Sequence, residues 1–439
     1  MHRGARLSLF AGTLLCVLGL SKAHAVVHGY DWSDSFRVSW SLALVAMLCV
    51  GAYAFGLPDQ ARSRRGAVIG AVGATVTAAI LISIAQLVVG SAVLPRVVVL
   101  GSVAVLTPWY VLCWMVAGDA RTRAADRDRV LVIADDDEVA VLTSELARSP
   151  ERAALIVGAL VPTGAVSTSI PPSRPVLDLA RAARASVVVL GRDAQGDDDI
   201  VTQAAMLHEE GVRIRTLSLF YEQWLGKLPI GELERVSLLF DIGELHQTRY
   251  ARVKRLLDLA LAAVGLIALV IVLPFVVIGD VLGNRGRIFY RQTRVGQGGR
   301  TFEMTKFRTM RADVEGSEWT AEHDARITPF GRVLRRTHLD ELPQVLNVLR
   351  GELSMVGPRP EQPQVVEELA DKIPFYRLRH LVRPGLTGWA QVKFHYASSE
   401  ADALEKLQYE FFYLRRQSLS LDLRVVGRTV REVVGREGR

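Results

Sequence analysis

Apolar positions are distributed very unevenly along this chain. Long apolar stretches open it at residues 7–27, 36–57, 67–94 and 97–117. The last three reach the roughly 20 residues that a helix needs to cross a bilayer core. The first follows Arg3 and Arg6 and runs into Ala23-His24-Ala25, a pattern that a cleavable signal peptide shares; four retained spans are the expectation. From Arg129 onward the pattern becomes that of a soluble α/β unit. Val130-Leu131-Val132-Ile133 predicts a buried strand, residues 138–148 a helix, residues 186–190 a second buried strand and residues 212–217 a third. A fifth apolar stretch, residues 256–281, contains Pro274. Beyond Gly283 the chain is polar and rich in Arg, Gly and Pro, without another spanning segment. Residues 411–414 with 419–430 fit either an interfacial amphipathic helix or a packed one.

Charge placement turns these stretches into a topology. Basic residues precede the first stretch and recur at Arg62, Arg64 and Arg65, then at Arg121, Arg123, Arg127 and Arg129. The alternate loops, residues 28–34 and 90–95, are nearly free of them, so everything beyond residue 117 is expected in the cytoplasm. The fifth stretch is basic at both ends, with Arg249, Arg252, Lys254 and Arg255 before it and Arg285, Arg287, Arg291 and Arg294 after it. A helix broken at Pro274 that enters and leaves by one face removes that conflict; an ordinary fifth span is the alternative. The expected architecture is a membrane α-helical bundle (1–118), a cytosolic Rossmann-like α/β domain (119–228), a connector (229–252), a re-entrant helix kinked at Pro274 (253–283) and an α/β catalytic domain (284–439).

Composition agrees with a membrane protein: of 439 residues, 50% are hydrophobic, and the mean hydropathy is +0.22. Cys16, Cys49 and Cys113 all lie in apolar stretches without metal-ligand spacing and are read as buried small hydrophobes. The net charge of +7 suits anionic lipid or phosphate-bearing substrates. Nucleic-acid binding is not expected, because the arginines lack interleaved stacking aromatics. Dinucleotide binding is not expected either. The loop after the first predicted strand is Ala134-Asp135-Asp136-Asp137-Glu138, which lacks the glycine fingerprint and would repel a pyrophosphate.

Candidate chemistry centres on Leu339-Asp340-Glu341-Leu342-Pro343-Gln344. Pro343 suits the first turn of a helix, which would place both carboxylates at a helix start. Alone, such a pair is most often a cap. Its surroundings are strongly cationic: Lys306 and Arg308 precede it, then Arg326, Arg332, Arg335 and Arg336, while Arg359 and Arg383 follow within rigid Pro and Gly frames. Carboxylates among so many cations point to phosphate chemistry, in which one carboxylate can attack phosphorus and another can hold Mg²⁺.

The ordered motifs Lys306-Phe307-Arg308-Thr309-Met310, Gly331-Arg332-Val333-Leu334-Arg335, Leu339–Gln344, Asn347-Val348-Leu349-Arg350-Gly351, Ser354-Met355-Val356-Gly357-Pro358-Arg359-Pro360 and residues 383–391 resemble the bacterial sugar transferase family. These are polyprenyl-phosphate phosphoglycosyl transferases with a monotopic catalytic domain. The resemblance runs from about Tyr250 to the C-terminus, and the preceding spans and α/β unit resemble the long-chain branch that initiates exopolysaccharide, O-antigen or capsule synthesis. It implies Asp340 as nucleophile and Glu341 as its Mg²⁺-binding partner. Lys306 and Arg335 are implied near the phosphates and Arg359 close to the nucleotide, with Arg308, Arg332 and Arg383 as further substrate-binding residues. The implied reaction moves a sugar-1-phosphate from a UDP-sugar, UDP-glucose or UDP-galactose with N-acetylhexosamines as alternatives, to polyprenyl phosphate, releasing UMP through a covalent ping-pong. The implied setting is the inner face of a bacterial plasma membrane, and the resemblance leaves room for a homodimer. The family's usual Ser-Pro break is here Leu273-Pro274.

Overall fold

The structure is a computed structural model describing residues 2–58, 64–89, 94–117, 127–148, 151–169, 172–229, 248–283, 287–310, 326–394 and 399–435. Most of the connector expected at 229–252 lies outside the described residues, as do Arg62, Arg121, Arg123 and Arg285. The chain forms two compact units: Met1–Gly118, Gln247–His395 and Gln417–Arg439 in one, Asp119–His246 and Tyr396–Arg416 in the other.

The first unit begins with four helices, α1 (His2–His28), α2 (Ser35–Ala54), α3 (Arg64–Val89) and α4 (Arg96–Val116). All are long and apolar enough to cross a membrane. Asp34 caps α2 by accepting from the Phe36 amide at 3.2 Å. Buried small and aliphatic side chains, among them Leu44, Leu48, Ala71, Ala74 and Ile82, fill the space between helices. Hydroxyl pairs tie neighbours together across this core: Thr13 with Tyr110 at 2.9 Å, Ser21 with Ser41 at 3.0 Å and Thr75 with Thr107 at 2.9 Å. In an apolar medium such cross-helix bonds add modestly to the close packing that holds helices together.

The second unit is built on a parallel sheet. Strands β1 (Asp128–Ile133) and β2 (Ala154–Leu160) are flanked by α5 (Asp136–Arg148) and α6 (Pro175–Ala182). Strand β3 (Val187–Leu190), helix α7 (Asp198–Glu209) and strand β4 (Arg213–Thr216) follow, and the strand order is β2-β1-β3-β4. Alternation along the central strands buries both faces. Val130, Val132, Val187 and Val189 enter one core, whereas Leu131, Ile133, Val188 and Leu190 enter the other. The acidic run opens α5, with Asp136, Asp137 and Glu138 in its first turn, where the helix dipole favours them.

In the first unit the chain resumes with α8 (Thr248–Gly283), which runs 36 residues through Pro274 without interruption. The expected break is therefore absent from the helical pattern, although proline removes the N–H that the Val270 carbonyl would otherwise receive. Antiparallel strands β5 (Phe289–Val295) and β6 (Thr301–Phe307) follow, then α9 (Pro329–Arg336). A 3-10 turn at Leu339–Gln344 leads into α10 (Val345–Arg350), β7 (Ser354–Val356) and α11 (Pro363–Lys372). Strand β8 (Gly385–Thr387) pairs in parallel with β7, and α12 (Trp389–Lys393) follows it. Helix α13 (Glu400–Arg415) belongs to the second unit, where its Glu405 meets the buried Lys227 ammonium at 3.2 Å. Helix α14 (Leu419–Gly435) returns to the first unit. It packs on α2 and α3, so residues 419–430 form a packed helix rather than a free interfacial one.

Both ends of α8 are tied to the region that carries the polar motifs. Near its start, Arg255 donates to the Val348 and Leu349 carbonyls at 2.7 and 2.9 Å. Asp258 accepts from Ser354 Oγ at 3.0 Å and from the Met355 amide at 2.9 Å. Near its end, Asp280 pairs with Arg308 at 3.2 Å. Glycines allow close approach in between: a Cβ on Gly265 would strike Val345, and one on Gly279 would strike Phe330. The remaining face, including Val270, Ile271, Phe275, Ile278 and Val281, is exposed and apolar at helical spacing.

Candidate active site

The carboxylate pair sits on a short 3-10 turn, not on an α-helix start. Helix α10 begins only at Val345, which leaves Pro343 buried within the turn rather than in a first α-helical turn. His338 launches the turn with φ 54° and ψ 15°, a left-handed conformation that a non-glycine residue rarely adopts. The Glu341 amide closes back onto the His338 carbonyl at 3.3 Å. Such strain persists only where surroundings fix the backbone, and it is frequent at functional sites.

Glu341 is held by cations from two directions. Its Oε1 accepts from Lys306 Nζ at 2.8 Å and from an Arg359 nitrogen at 3.3 Å. Burial opposes its ionisation. The Arg359 guanidinium and the Lys306 ammonium outweigh that, holding the carboxyl well below the usual carboxylate range. The partners respond in opposite directions. Burial, reinforced by Arg359, lowers the Lys306 ammonium despite Glu341. The Glu341 charge raises Arg359, whose side chain remains 41% exposed.

Asp340 lies in a different field. Burial and the neighbouring Glu341 charge push its carboxyl up, against the pull of Lys306, Arg335 and His338. Two adjacent carboxylates thus differ in character. Glu341 is a locked anion, and Asp340 is a carboxyl whose ionisation is opposed by burial and by its neighbour, with cations nearby. Arg335 is steadied by its bond to Thr309 Oγ1 at 2.9 Å. Gly331 permits that approach, because a Cβ there would run into the Thr309 carbonyl.

Lys306, Arg335 and Arg359 are therefore brought to the dyad. Arg308 is not: it serves Asp280 and the Arg287 carbonyl, the latter at 2.7 Å. Arg332 is exposed on α9, and Arg383 is half-buried. Among the described residues, no hydrogen bond ties either of these to the dyad.

Two further residues line the small cavity beside Lys306, Glu341 and Arg359: Arg294 and Gln344. In the β5–β6 register Lys306 faces Tyr290, Met304 faces Gln292 and Phe302 faces Arg294. Side chains alternate with a period of two, so Arg294 and Lys306 share a face. Gly298 and Gly299, both at positive φ, close the β5–β6 turn. A glycine-closed hairpin was the available sequence signal; read only as a basic flank of the apolar stretch, Arg294 was missed. A buried Arg379 supports the site from behind, donating to the Arg359 carbonyl at 3.0 Å.

Among the described residues there is no cluster of three His, Cys, Asp or Glu side chains able to cage a metal. The residues present still suit Mg²⁺, which takes one or two carboxylates and completes its octahedron with phosphate oxygens and water. Both cation contacts to Glu341 fall on Oε1, which leaves the donor set of Glu341 Oε2 and Asp340 for such an ion.

Comparison with known proteins shows where these motifs recur. Residues 249–436 match the sequence profile described as bacterial sugar transferase. The UDP-N-acetylgalactosamine-undecaprenyl-phosphate N-acetylgalactosaminephosphotransferase of Aeromonas hydrophila is 37% identical over 251 residues, covering 54% of this chain and 57% of the relative. A UDP-glucose:undecaprenyl-phosphate glucose-1-phosphate transferase of Xanthomonas campestris pv. campestris is 43% identical over 189 residues, covering 42% and 39%. Its namesake from Caulobacter vibrioides is 39% identical over 181 residues, covering 40% of this chain and 68% of the relative. The chain thus spans 57% and 39% of the first two relatives' lengths. With two-thirds of the Caulobacter protein matched and every dyad-bearing motif inside the profile, this chain belongs to the bacterial sugar transferase family.

Proposed function

We propose that this protein transfers a sugar-1-phosphate from a UDP-sugar to polyprenyl phosphate at the cytoplasmic face of a bacterial plasma membrane. The observation that carries this reading is the division of labour in the dyad. Glu341 is fixed as an anion by Lys306 and Arg359, while Asp340 is raised by burial and set beside Lys306 and Arg335.

The chemistry follows from that division. An Asp340 carboxylate oxygen attacks the sugar-bearing phosphorus, the bond to the bridging oxygen breaks, and UMP leaves with that oxygen. The acyl phosphate so formed holds the sugar-phosphate. A polyprenyl phosphate oxygen then attacks the same phosphorus, and Asp340 leaves as a carboxylate. Desolvation makes Asp340 a stronger nucleophile than a hydrated carboxylate, provided it is ionised. Lys306 and Arg335 face the charge that accumulates on phosphorus oxygens during each step, and Arg359 can clamp the diphosphate at the open side. Bound Mg²⁺, held by Asp340 and Glu341, would neutralise diphosphate charge and orient the leaving group.

Membrane geometry supports the same reading. Although α8 is unbroken and long enough to cross a membrane, Arg255 and Asp258 at one end and Asp280 at the other bind the polar motif region, which supports entry and exit by a single face. Helix α14 joins that region to the bundle: Thr429 bonds Thr387 at 2.7 Å, and Arg424 reaches Tyr53 at 3.1 Å, near the α2 end that precedes Arg64 and Arg65. Positive-inside logic makes that end cytoplasmic, where a nucleotide sugar and an interfacial lipid phosphate can meet. The relatives' names divide between glucose and N-acetylgalactosamine, and UDP-glucose is the donor proposed here. Incubation of purified protein with UDP-glucose and undecaprenyl phosphate should give lipid-linked product and UMP. Release of UDP would contradict the reading.

A further inference from the structure

Two buried N–H donors beside the dyad have no role in the steps above. Gln344 is only 3% exposed, and its Nε2 has no hydrogen-bond partner among the described residues. Arg294 Nε is likewise buried and unpartnered. The rest of that guanidinium is committed: Nη1 donates to the Pro360 carbonyl at 3.2 Å and lies 3.7 Å from Glu361, and Nη2 donates to Gln292 at 2.7 Å. Arg294 is thus rigidly placed, with one donor to spare. A buried donor without an acceptor is costly, so its retention calls for an acceptor supplied from outside the chain.

The cavity that both residues line restricts what that acceptor can be. Its charged groups are the cations Arg294, Lys306 and Arg359 against the single carboxylate Glu341. The Oε1 of that carboxylate already accepts from both Lys306 and Arg359. A neutral sugar hydroxyl gains little from the positive field of those three cations. An oxyanion brings acceptors only and meets a positive field.

We propose that Arg294 Nε and Gln344 Nε2 form an oxyanion subsite that binds a non-bridging phosphoryl oxygen of the nucleotide diphosphate. This deepens the reading of a UDP-sugar donor and rests on it. Gln344 adds to the cations a directional contact that does not change the net charge, which makes it a substrate-binding residue rather than a structural one. The dyad turn itself carries Gln344, three positions beyond Glu341. A diphosphate seated on it is therefore registered against Asp340 by the same backbone that holds the nucleophile.

The test uses the full-length protein in lipid nanodiscs and isothermal titration with UDP. Gln344→Leu keeps the bulk and removes the donor; Arg294→Lys keeps the charge and removes Nε. Each should weaken UDP about 10-fold, as expected when one hydrogen bond to a charged group is lost. Each should also raise KM for the UDP-sugar more than it lowers kcat. Thermal midpoints of both variants identify any that fail to fold, in which case the other variant decides. Folded variants that bind UDP like the wild type would overturn the subsite and leave the donors to a buried water. Wild-type protein that never acquires a phospho-sugar adduct would overturn the parent reading, and the subsite with it.

Discussion

Lys306 Nζ lies 2.8 Å from Glu341 Oε1, and neither side chain is more than 20% exposed. The ion pair joins strand β6 to the dyad turn, so the pair sets where the turn sits as well as its charge. In Glu341→Gln, Lys306 and Arg359 lose their shared anion. Activity should fall at least about 100-fold, and stability by about 1–3 kcal/mol, because one partner of a mostly buried pair has been removed. The sign with pH is fixed. Glu341 has a depressed folded-state pKa, so its contribution is complete above the ordinary glutamate value of 4.5 and is lost as pH falls below it. Acid unfolding followed by circular dichroism should therefore be shallower below about pH 4.5 in the variant.

Asp340 should titrate on the other side of its usual value. Burial and Glu341 raise it above 3.8, so the acid limb of kcat/KM should lie higher in pH than an ordinary aspartate would give. Lys306→Met removes a charge that opposes the rise and should move that limb further up. A limb below the ordinary aspartate range would contradict the assignment of Asp340 as the ionised nucleophile.

Arg308, expected near the substrate, is bonded in the structure to Asp280 and to the Arg287 carbonyl. With Asp280 it forms a pair whose side chains are 11% and 8% exposed, at the end of α8. Arg308→Ala should lower stability by about 2–4 kcal/mol by leaving the Asp280 carboxylate buried alone. The added change Asp280→Asn should restore part of the loss, and KM for the UDP-sugar should shift less than in Lys306→Ala. Thermal unfolding and steady-state kinetics on the three proteins separate the two roles.

Much of this was legible from residue patterns because local physics dominates there. The apolar stretches at residues 36–57 and 97–117 became α2 and α4, and Val130–Ile133 became the centre of a parallel sheet. The acidic loop proved to be the dipole-favoured first turn of α5. Strand β2 went unread, since Ala154–Leu160 is an edge strand with a mixed burial pattern and a glycine at position 158. At the site, the dyad and Lys306 could be read, but Gln344 could not. Its place beside Lys306 depends on which face of a 3-10 turn meets β6, and that is set by tertiary contact. Arg308 shows the same limit: a cation inside a phosphate-type motif looks the same in sequence whether its anion is a ligand or Asp280.

The proposed course of α8 predicts an accessibility pattern. With Cys16, Cys49 and Cys113 replaced by serine, Val253→Cys and Arg287→Cys should both react with a membrane-impermeant maleimide added to inside-out vesicles. Neither should react in right-side-out vesicles. Labelling of the two positions from opposite sides would establish a fifth span instead.

The most direct test of the central claim is the mass of the intact protein after brief incubation with UDP-glucose in the absence of lipid acceptor. The predicted result is one added hexose-phosphate unit, located by fragmentation on Asp340, with one equivalent of UMP released and the adduct discharged by undecaprenyl phosphate. No adduct, together with lipid-linked product still formed by Asp340→Asn, would contradict it.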